Sequence, residues 1–583
     1  MDQIKSYKGI NNLIGWAIFI KALAVFMLTL EPTASFWDSG QFVATSYRLQ
    51  VSHPPGAPLY QLMARMFSLL AMGDVTRVAF WINSMSAVFA ALTVMYLFWS
   101  VSFLGHKIMK STGDTSSVKT WAVWGAGIVG ALTFTFSESF WFSAVEAEVY
   151  VPSMFLTAFV FWAILKWEST SDDPQSMRWI VMIAFVMGLS IGVHMLNLLV
   201  IPAIVFVYYF KKFQPTRKGI ILTGIISFLI LGIIYQFLIP GVLKWTWLFE
   251  RFFTNSIGLP FYSGTIIFFL LLISSIVYGL YWTYRKKRVI LNTVILGLTF
   301  ILIGYTTYMS LVVRSNANVP INQNAPKSAL ALYSYLGREQ YGAWPILHGP
   351  YYNAPLKDIE DGNPIWRKDL ESGRYVIISE RPNSVPIFDP EFTTLFPRMH
   401  SSSPHHIRAY ETWGNVTGRP TRAQRMDGTS EVINKPTFGE NLRFFFSYQL
   451  GHMYLRYFMW NFAGRQNDTP GHGSPIEGNW ISGIPPLDSM FLGPQKNLPS
   501  SLADDPSRST YFLLPFILGI IGLIYHSKKR PDDASVLGML FFMTGIAIIL
   551  YLNQTPYQPR ERDYSYVGSF YAFTIWIGLG VLA

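Results

Sequence analysis

The sequence predicts a mostly α-helical, polytopic membrane protein with about twelve transmembrane helices and one mixed α/β domain outside the bilayer. Of its 583 residues, 51% are hydrophobic and only 14% are charged, against roughly 25% charged residues in an average soluble domain. Apolar stretches near the length of about 20 residues that a helix needs to cross a bilayer recur along the chain. Residues 313–510 contain no such stretch and are polar and rich in proline, glycine and asparagine.

Twelve apolar segments are candidates for transmembrane helices. The two at 179–194 and 196–210 are the weakest, because GLSIGVHMLN divides this apolar run into two short helices that would form a tight hairpin. Interrupted helices often lie beside a functional cavity. The full set is 11–30, 77–104, 120–136, 150–166, 179–194, 196–210, 219–239, 264–284, 289–312, 511–526, 534–552 and 568–583.

The formal charge of +11 is explained by membrane topology and gives no reason to expect a nucleic acid partner. Lys/Arg runs flank apolar segments, as they do in the cytoplasmic loops of membrane proteins. With the amino terminus inside, the loops at 105–119, 211–218, 284–288 and 527–533 hold nearly all of these runs. The opposite, extracytoplasmic face then receives 31–76, 137–149, 240–263, 313–510 and 553–567, which contain every unusual motif.

The first outer loop, residues 31–76, contains the first candidate for a reacting residue. It begins EPTASFWDSGQF and places Glu31 and Asp38 close to a membrane boundary, where a carboxylate is costly unless it is paired, solvated or used. His53 lies on a bend, because three prolines and a glycine follow it. Asp38-Ser39-Gly40 is also ordinary turn chemistry, so a capping role for Asp38 stays open. We expect a short helix after Asp38 and an amphipathic one over 57–70.

The second outer loop, residues 137–149, is acidic and reads SESFWFSAVEAEV. Glu146 and Glu148 cannot share one helical face, so one can point into a membrane cavity while the other is solvated. Glu148 has an alternative role as a helix-start carboxylate. His194, in the interrupted hairpin, is either a satisfied buried histidine or a functional one.

The last outer loop, residues 553–567, contains the run Arg560, Glu561, Arg562 and Asp563. Arginine forks suit bidentate binding of phosphate or carboxylate, so Arg560 or Arg562 could hold an anionic group at the membrane surface. The alternative is that Arg562 pairs internally with Asp563 or Glu561 and anchors the loop.

The polar segment at 313–510 is predicted to be a soluble outer domain. RYVIISE at 374–380 and VPIFDP at 385–390 have the pattern of strands, and the aromatic residues of 451–468 favour a helix packed on the membrane part. We therefore divide the chain into a transmembrane core at 1–312, the outer domain at 313–510 and carboxy-terminal transmembrane helices at 511–583.

The position of these motifs favours a transferase that faces outward. Water-soluble activated sugars are made on the cytoplasmic side, so such an enzyme needs a lipid-borne donor whose phosphate lies at headgroup level, near the arginines. A carboxylate would act as general base on an acceptor hydroxyl, and cationic groups would stabilise the departing phosphate.

Five motifs, WDSGQF, HPPGAPLY, AEVY, GLSIGVH and PRERDY, resemble those of a large bacterial membrane family that is related to a eukaryotic transmembrane protein O-mannosyltransferase. Both belong to the GT-C class of glycosyltransferases. The resemblance implies a GT-C core, a polyprenyl-phosphate sugar donor, inversion at the anomeric carbon and Asp38 as the catalytic base. It also implies transfer of a hexose, most simply mannose, to Ser/Thr hydroxyls of exported proteins at the outer face of the bacterial cytoplasmic membrane.

Other site residues follow from the same resemblance. His53, Glu148 and His194 match family positions, whereas Gln41 stands where family members commonly have Glu, so a carboxylate at Gln41 is not essential here or the chain is less active. We expect no cofactor. Asp38, Glu148 and a histidine could hold a divalent ion, but no ligand spacing is diagnostic and the resemblance favours no metal.

Two other functions remain as alternatives. A transporter or flippase of lipid-linked saccharides explains the many spans, but alternating access usually places polar groups near the bilayer midplane between paired repeats. No two-fold repeat is visible in the sequence. A scaffold subunit of an outer-surface assembly is the third possibility.

Overall fold

The computed structural model describes residues 2–111, 117–342, 344–379, 384–426 and 428–583 and is mostly helical. Within these residues, eight helices are long and apolar enough to cross a membrane. They support a multi-pass membrane protein. They are Tyr7–Leu28, Val75–Ser111, Tyr150–Thr170, Met195–Lys212, Arg217–Ser256, Ser263–Arg285, Val289–Asn316 and Pro531–Leu552.

The predicted number of twelve spans is not confirmed, because four of the apolar segments do not form such helices. Segment 120–136 continues into a second helix, Glu138–Ala144, after a bend of 67°, since the backbone of Ser137 is extended. The other three form helices of 15, 16 and 14 residues, shorter than a simple span needs. These are Met177–Ile191, Leu514–Lys529 and Val567–Gly580.

The helix Val567–Gly580 lies in the interior, with every residue except Gly568 buried. Neighbouring helices approach it through glycines. A Cβ at Gly522 would lie 1.8 Å from the carbonyl oxygen of Trp576, and one at Gly130 would lie 2.9 Å from that of Thr574. Small residues allow this close approach of helix backbones in membranes. The backbone of Val567–Gly580 is therefore in close contact with the helices around it.

The helices between residues 217 and 316 lie at the periphery. In the most apolar windows of their three candidate spans, only 17%, 6% and 11% of the residues are buried, so most of their apolar side chains are left for lipid. The helical segments are Arg217–Gly232, Ile233–Leu238, Ile239–Arg251, Phe252–Ser256, Ser263–Arg285, Val289–Tyr305 and Met309–Asn316.

All named strands lie after residue 347 and form five two-stranded antiparallel sheets. Both predicted strands are present, as Arg374–Ser379 and Val385–Phe388, while Glu380 lies outside the described residues. The pairs are His348–Pro350 with Thr393–Leu395, Leu356–Glu360 with Val385–Phe388, Ile365–Asp369 with Arg374–Ser379, Arg419–Gln424 with Ser430–Lys435, and Gly464–Arg465 with Ser509–Thr510.

Residues 313–510 form the outer segment. A run of helix from Phe438 to Phe462 packs this segment against the membrane helices. Buried aromatic side chains, among them Tyr454, Tyr457 and Trp460, line it, as the sequence predicted for the aromatic patch. Phe458 and Phe462 pack on Phe573 of the interior helix. The helices of the outer segment are Ala329–Leu336, Pro404–Gly414, Phe438–Phe444, Phe445–Leu455, Arg456–Phe462, Pro485–Leu492 and Ser500–Ala503.

The first outer loop forms two helices close to those predicted, Ser39–Arg48 and Pro58–Ser68. Between them, the loop is held by two tyrosines from later in the chain. Tyr335 Oη donates to the carbonyl of Ser52 at 2.6 Å and Tyr308 Oη to that of Gly56 at 3.4 Å. Gly56 has φ +72° and its missing Cβ leaves room for the Tyr335 ring, so the bend after His53 is tightly fixed.

Candidate active site

Asp38 immediately precedes the helix Ser39–Arg48, but its carboxylate makes no capping hydrogen bond. The side chain is 47% exposed. Its Oδ2 atom lies 3.3 Å from Nη2 of Arg560. The capping alternative is therefore not supported, and Asp38 presents a half-exposed carboxylate that has the Arg560 guanidinium beside it.

Glu148 lies just before the helix Tyr150–Thr170, with its side chain only 3% exposed. Oε1 accepts from Nη1 of Arg560 at 3.1 Å, whereas Oε2 is buried without a hydrogen-bond partner in the described part of the chain. Burial raises the pKa of Glu148 to about 7; Arg560 opposes this shift, and the neighbouring carboxylates of Glu146 and Asp38 add to it. Glu148 can thus exchange a proton near neutral pH.

Arg560 joins these two acids. One guanidinium nitrogen faces Asp38 and the other faces Glu148, so the fork bridges the first and second outer loops. The guanidinium carbon lies 4.5 Å from the ring centroid of Tyr564, and Nε donates to the hydroxyl of Tyr564 at 3.1 Å. The arginine is therefore oriented on three sides and is largely buried.

Arg562 lies on the same side of the loop but contacts neither acid of the site in the described residues. Its Nη1 donates to Tyr564 Oη at 2.6 Å and its Nε to Gln558 Oε1 at 3.2 Å. No ion pair joins Arg562 to Glu561 or Asp563 within the described part of the chain. The internal-pairing alternative is thus not what the loop adopts.

Glu146 is buried like Glu148, so the prediction that one of the two is solvated is wrong. Ser35 Oγ donates to Glu146 Oε2 at 2.5 Å, and burial raises the pKa of this carboxyl. The reason is the tight turn between them, in which the Glu148 N–H donates to the Glu146 carbonyl at 3.0 Å. Both carboxylates are thereby held in the interior, Glu146 against Ser35 and Glu148 against Arg560.

His53 and Gln41 form a pair, with 2.5 Å between His53 Nδ1 and Gln41 Oε1. An amide oxygen can only accept, so Nδ1 carries the proton in this arrangement. Burial lowers the pKa of His53, Asp38 raises it, and Arg338 and Arg560 lower it further. His53 is therefore favoured as a neutral ring near the carboxylate of Asp38.

His194 lies at the start of the short helix Met195–Val200, where Nδ1 accepts from the backbone N–H of Leu196 at 3.2 Å. Its ring centroid lies 5.1 Å from that of Tyr150, which lies 4.4 Å from that of Tyr564. The structure thus gives His194 a capping role and places it at the far end of an aromatic row that leads to Arg560.

A cavity adjoins the arginine loop at 553–567, and Tyr564 is part of its lining. Its walls are apolar side chains and a few hydroxyl groups from five helical segments and from Thr544. In the described residues, no three His, Asp or Glu groups are arranged to hold a metal ion. The cavity is lined by Tyr150, Ser153, Met154, Thr157, Leu196, Thr544, Ile548, Tyr564, Ser565, Val567 and Gly568.

Sequence reasoning did not identify Tyr564, Tyr150 or the partners of Glu561. Tyr564 follows Asp563 in the PRERDY motif, but a tyrosine in an aromatic-rich chain carries no distinctive signal. Glu561 accepts hydrogen bonds from Arg456, which lies in the aromatic patch of the outer segment. Only the fold brings these positions together.

Comparison with known proteins places the amino-terminal part of the site in a known group. Residues 38–217 match the model of the Protein O-mannosyl-transferase TMEM260 N-terminal domain, and residues 342–446 match a Family of unknown function (DUF8416). The chain is thus related to the eukaryotic O-mannosyltransferase, as the motifs predicted. The matched region begins at Asp38 and includes Glu148, whereas Arg560 lies outside it.

Two curated relatives support this relationship. Protein O-mannosyl-transferase TMEM260 of Mus musculus is 27% identical over 176 residues, which is 30% of this chain and 22% of the relative. Protein O-mannosyl-transferase tmem260 of Dictyostelium discoideum is 22% identical over 246 residues, 40% of this chain and 28% of the relative. The chain spans about a quarter of the length of these relatives.

Proposed function

We propose that the protein is an inverting GT-C glycosyltransferase that moves one hexose, mannose, from a polyprenyl phosphate to Ser/Thr hydroxyls of exported proteins. The observation that carries the proposal is the Arg560 guanidinium held between Asp38 and Glu148. It brings the proposed general base, Asp38, next to the proposed phosphate ligand, Arg560. The relationship to protein O-mannosyltransferases supports the choice of sugar and acceptor.

In the proposed reaction, Asp38 accepts the proton of the acceptor hydroxyl while the hydroxyl oxygen forms a bond to the anomeric carbon. The bond from that carbon to the phosphate oxygen breaks on the opposite face, and the phosphate leaves with the bonding electron pair. The configuration is thereby inverted. The half-exposed position of Asp38 supports this role, because an incoming hydroxyl can reach its carboxylate.

Arg560 and Arg562 are the proposed ligands of the leaving phosphate. Both donate to the hydroxyl of Tyr564, so their guanidinium groups lie close to the same oxygen atom. Fixed cations aimed at developing charge stabilise a transition state without reorganisation.

The remaining residues have supporting roles in the proposal. Glu148 orients Arg560 through its ion pair. Gln41 fixes His53 as a neutral ring, which helps position the acceptor or the sugar, and His194 supports the aromatic row beneath Arg560. The proposed location is the bacterial cytoplasmic membrane with the site on its extracytoplasmic face, and no metal is required for the step.

The test is transfer in detergent by the purified protein, with a polyprenyl-phosphate mannose and a Ser/Thr peptide, read by mass spectrometry. Loss of a general base typically costs about 10²–10⁴ in rate, so Asp38→Asn should nearly abolish product while Glu31→Gln retains it. Glu31 is the matched control, because within the described residues the hydrogen bonds to its carboxylate come from Thr33 and none comes from Arg560.

The same assay separates the proposal from a flippase. Detergent solution has no second compartment, so a transporter forms no product there. Absence of transfer by the wild-type protein with any polyprenyl-phosphate sugar, or full activity of Asp38→Asn, would contradict the proposed function.

A further inference from the structure

The four charged residues at 560–563 divide between two environments. The basic side chains of Arg560 and Arg562 both contact Tyr564 at the candidate site. The acidic side chain of Glu561 points the other way, into the outer segment, where it meets Arg456, Tyr457 and Gly471. The sequence motif therefore joins a site-facing arginine directly to an anchored glutamate.

The anchor of Glu561 is complete. Arg456 binds it with both terminal nitrogens, at 2.7 Å from Nη2 to Oε2 and 3.2 Å from Nη1 to Oε1. The N–H of Gly471 donates to Oε1 at 2.7 Å, and the Tyr457 hydroxyl donates to Oε2. Bidentate arginine–carboxylate pairs fix geometry as well as energy, so the Glu561 side chain has little freedom.

Arg456 is itself immobilised. Its side chain is only 4% exposed, and the guanidinium lies within 5 Å of the ring centroids of Tyr457 and Trp460. Further donors reach the carbonyls of Gly478 at 2.7 Å and His452 at 3.0 Å. Arg456 thus links the helix Arg456–Phe462, the loop at 466–479 and the arginine loop.

A second contact fixes the backbone of the arginine loop. The Tyr457 hydroxyl accepts from the backbone N–H of Arg562 at 3.1 Å. The loop is therefore held at residue 561 by its side chain and at residue 562 by its backbone. Arg560 directly precedes these two residues. Their contacts therefore also fix the backbone position from which the Arg560 side chain reaches Asp38 and Glu148.

We propose that Arg456, Tyr457 and Glu561 are positioning residues, through which the outer segment sets the place of Arg560 in the active site. The outer segment is then a structural part of the site and more than a cover over it. The catalytic consequence rests on the proposed function, whereas the positioning itself does not.

A spectroscopic experiment tests the positioning without any substrate. The chain has no cysteine, so Phe36→Cys and Tyr557→Cys, at side chains that are 83% and 47% exposed, give one specific pair of nitroxide labels. We expect the distance distribution between them, measured by electron paramagnetic resonance, to become at least twofold broader in Glu561→Gln. Glu431→Gln, which disrupts an exposed ion pair with Arg425, is the matched control and should retain the wild-type width.

Kinetics provide the second readout. A misplacement of about 1 Å can cost about 10² in rate, so Glu561→Gln should lower kcat/KM by about 10²-fold. The KM for the lipid donor should rise. The KM for the acceptor peptide should stay within about twofold of the wild-type value. A purely structural role would lower the amount of folded enzyme without separating the two KM values. Wild-type donor KM in Glu561→Gln would overturn the proposal.

If Glu561→Gln does not yield folded protein, Tyr457→Phe serves in both experiments, because it removes only one hydroxyl. It should broaden the label distance and raise the donor KM in the same direction. An unchanged distance in the folded variant overturns the positioning role. Inactivity of the wild-type protein instead contradicts the proposed function and leaves the distance measurement to decide the positioning.

Discussion

Arg560 and Glu148 are 412 residues apart in the chain and form a buried ion pair, with 3.1 Å between Nη1 and Oε1. Removal of one partner from a buried pair leaves an uncompensated charge, and this is more costly than loss of the attraction alone. The pair therefore sets how the last outer loop meets the second one. Asp38, on the other side of the same guanidinium, completes the bridge.

Arg560→Lys should weaken binding of the lipid donor even though it keeps the positive charge. A lysine ammonium is a point charge and lacks the planar fork that reaches Asp38 and Glu148 at once. A lost charge-assisted hydrogen bond is worth about 1.5–3 kcal/mol, so we expect the donor KM to rise by about 10- to 100-fold. Steady-state kinetics with varied donor measure it.

The control for this substitution is Arg425→Lys, at an exposed ion pair with Glu431. Exposed pairs contribute little, so its donor KM should match that of the wild-type protein. Equal donor KM values for Arg560→Lys and wild type would assign Arg560 to loop structure.

Arg560→Ala should destabilise the fold, and a second substitution should restore part of the loss. Above about pH 7, where both partners of the wild-type pair are ionised, the single variant leaves Glu148 buried without its cation, which costs up to about 3–5 kcal/mol in comparable pairs. Arg560→Ala/Glu148→Gln removes that charge, so its melting temperature should lie between those of the single variant and the wild type. The 19 tryptophans provide a fluorescence signal for the melting curves.

Additive effects would contradict this account of the pair. If Glu148→Gln lowers the melting temperature by the same amount with and without Arg560, the two side chains are energetically independent. Glu168→Gln, which removes the carboxylate of a different ion pair, with Lys107, is the control and should add its effect independently of Arg560→Ala.

The sequence predicted the three bridge residues separately, and the physical reasons are specific. Asp38, Glu148 and Arg560 are charged groups beside apolar segments, where an idle charge is costly, so each is visible without the fold. Their mutual distances are not visible, because they depend on how outer loops from three parts of the chain pack. Topology placed them on one face, and the structure adds that a single guanidinium joins them.

Some predictions were wrong or not confirmed. They concern packing, on which the local sequence pattern gives no information. A turn between Glu146 and Glu148 buries both carboxylates, although their spacing separates them on a helix. The apolar segments near 511–526 and 568–583 are predicted as spans, and in the structure they form helices of 16 and 14 residues, so these two spans are not confirmed. Hydrophobicity does not distinguish a lipid-facing helix from one buried in protein.

Gln41→Glu should move the pH dependence of turnover through His53. The substitution places a carboxylate where the amide oxygen now lies, 2.5 Å from His53 Nδ1. An adjacent negative charge favours the protonated ring, so the pKa of His53, which burial now lowers, should rise. The acidic limb of the profile of kcat/KM against pH should shift to higher pH in this variant.

His53→Gln is the matched variant for this prediction. This variant lacks the titrating ring. The double variant Gln41→Glu/His53→Gln should therefore have the acidic limb of its kcat/KM profile at the same pH as His53→Gln alone. A shift of equal size in the double variant would show that Gln41 acts on another group, with Asp38 the nearest candidate.

Glu148 should make the stability of the protein depend on pH between about 4.5 and about 7. Its folded-state pKa is raised to about 7 from an ordinary value of 4.5, so over this interval the folded protein holds a proton that the unfolded chain has lost. Stability therefore falls as pH rises wherever the unfolded state binds fewer protons. Above about 7 both states are ionised and the contribution no longer changes.

Glu148→Gln tests this, because glutamine keeps the shape and carries no titrating proton. Arg560, Glu146, Asp38 and Tyr60 face the carboxyl group, and the titrations of these neighbours occur in both proteins and largely cancel in the difference. The melting temperature of the wild type minus that of the variant should decrease from pH 5 to pH 7 and stay level to pH 8. A constant difference across this range would show that the Glu148 carboxyl does not titrate between pH 5 and pH 8 and would contradict this prediction.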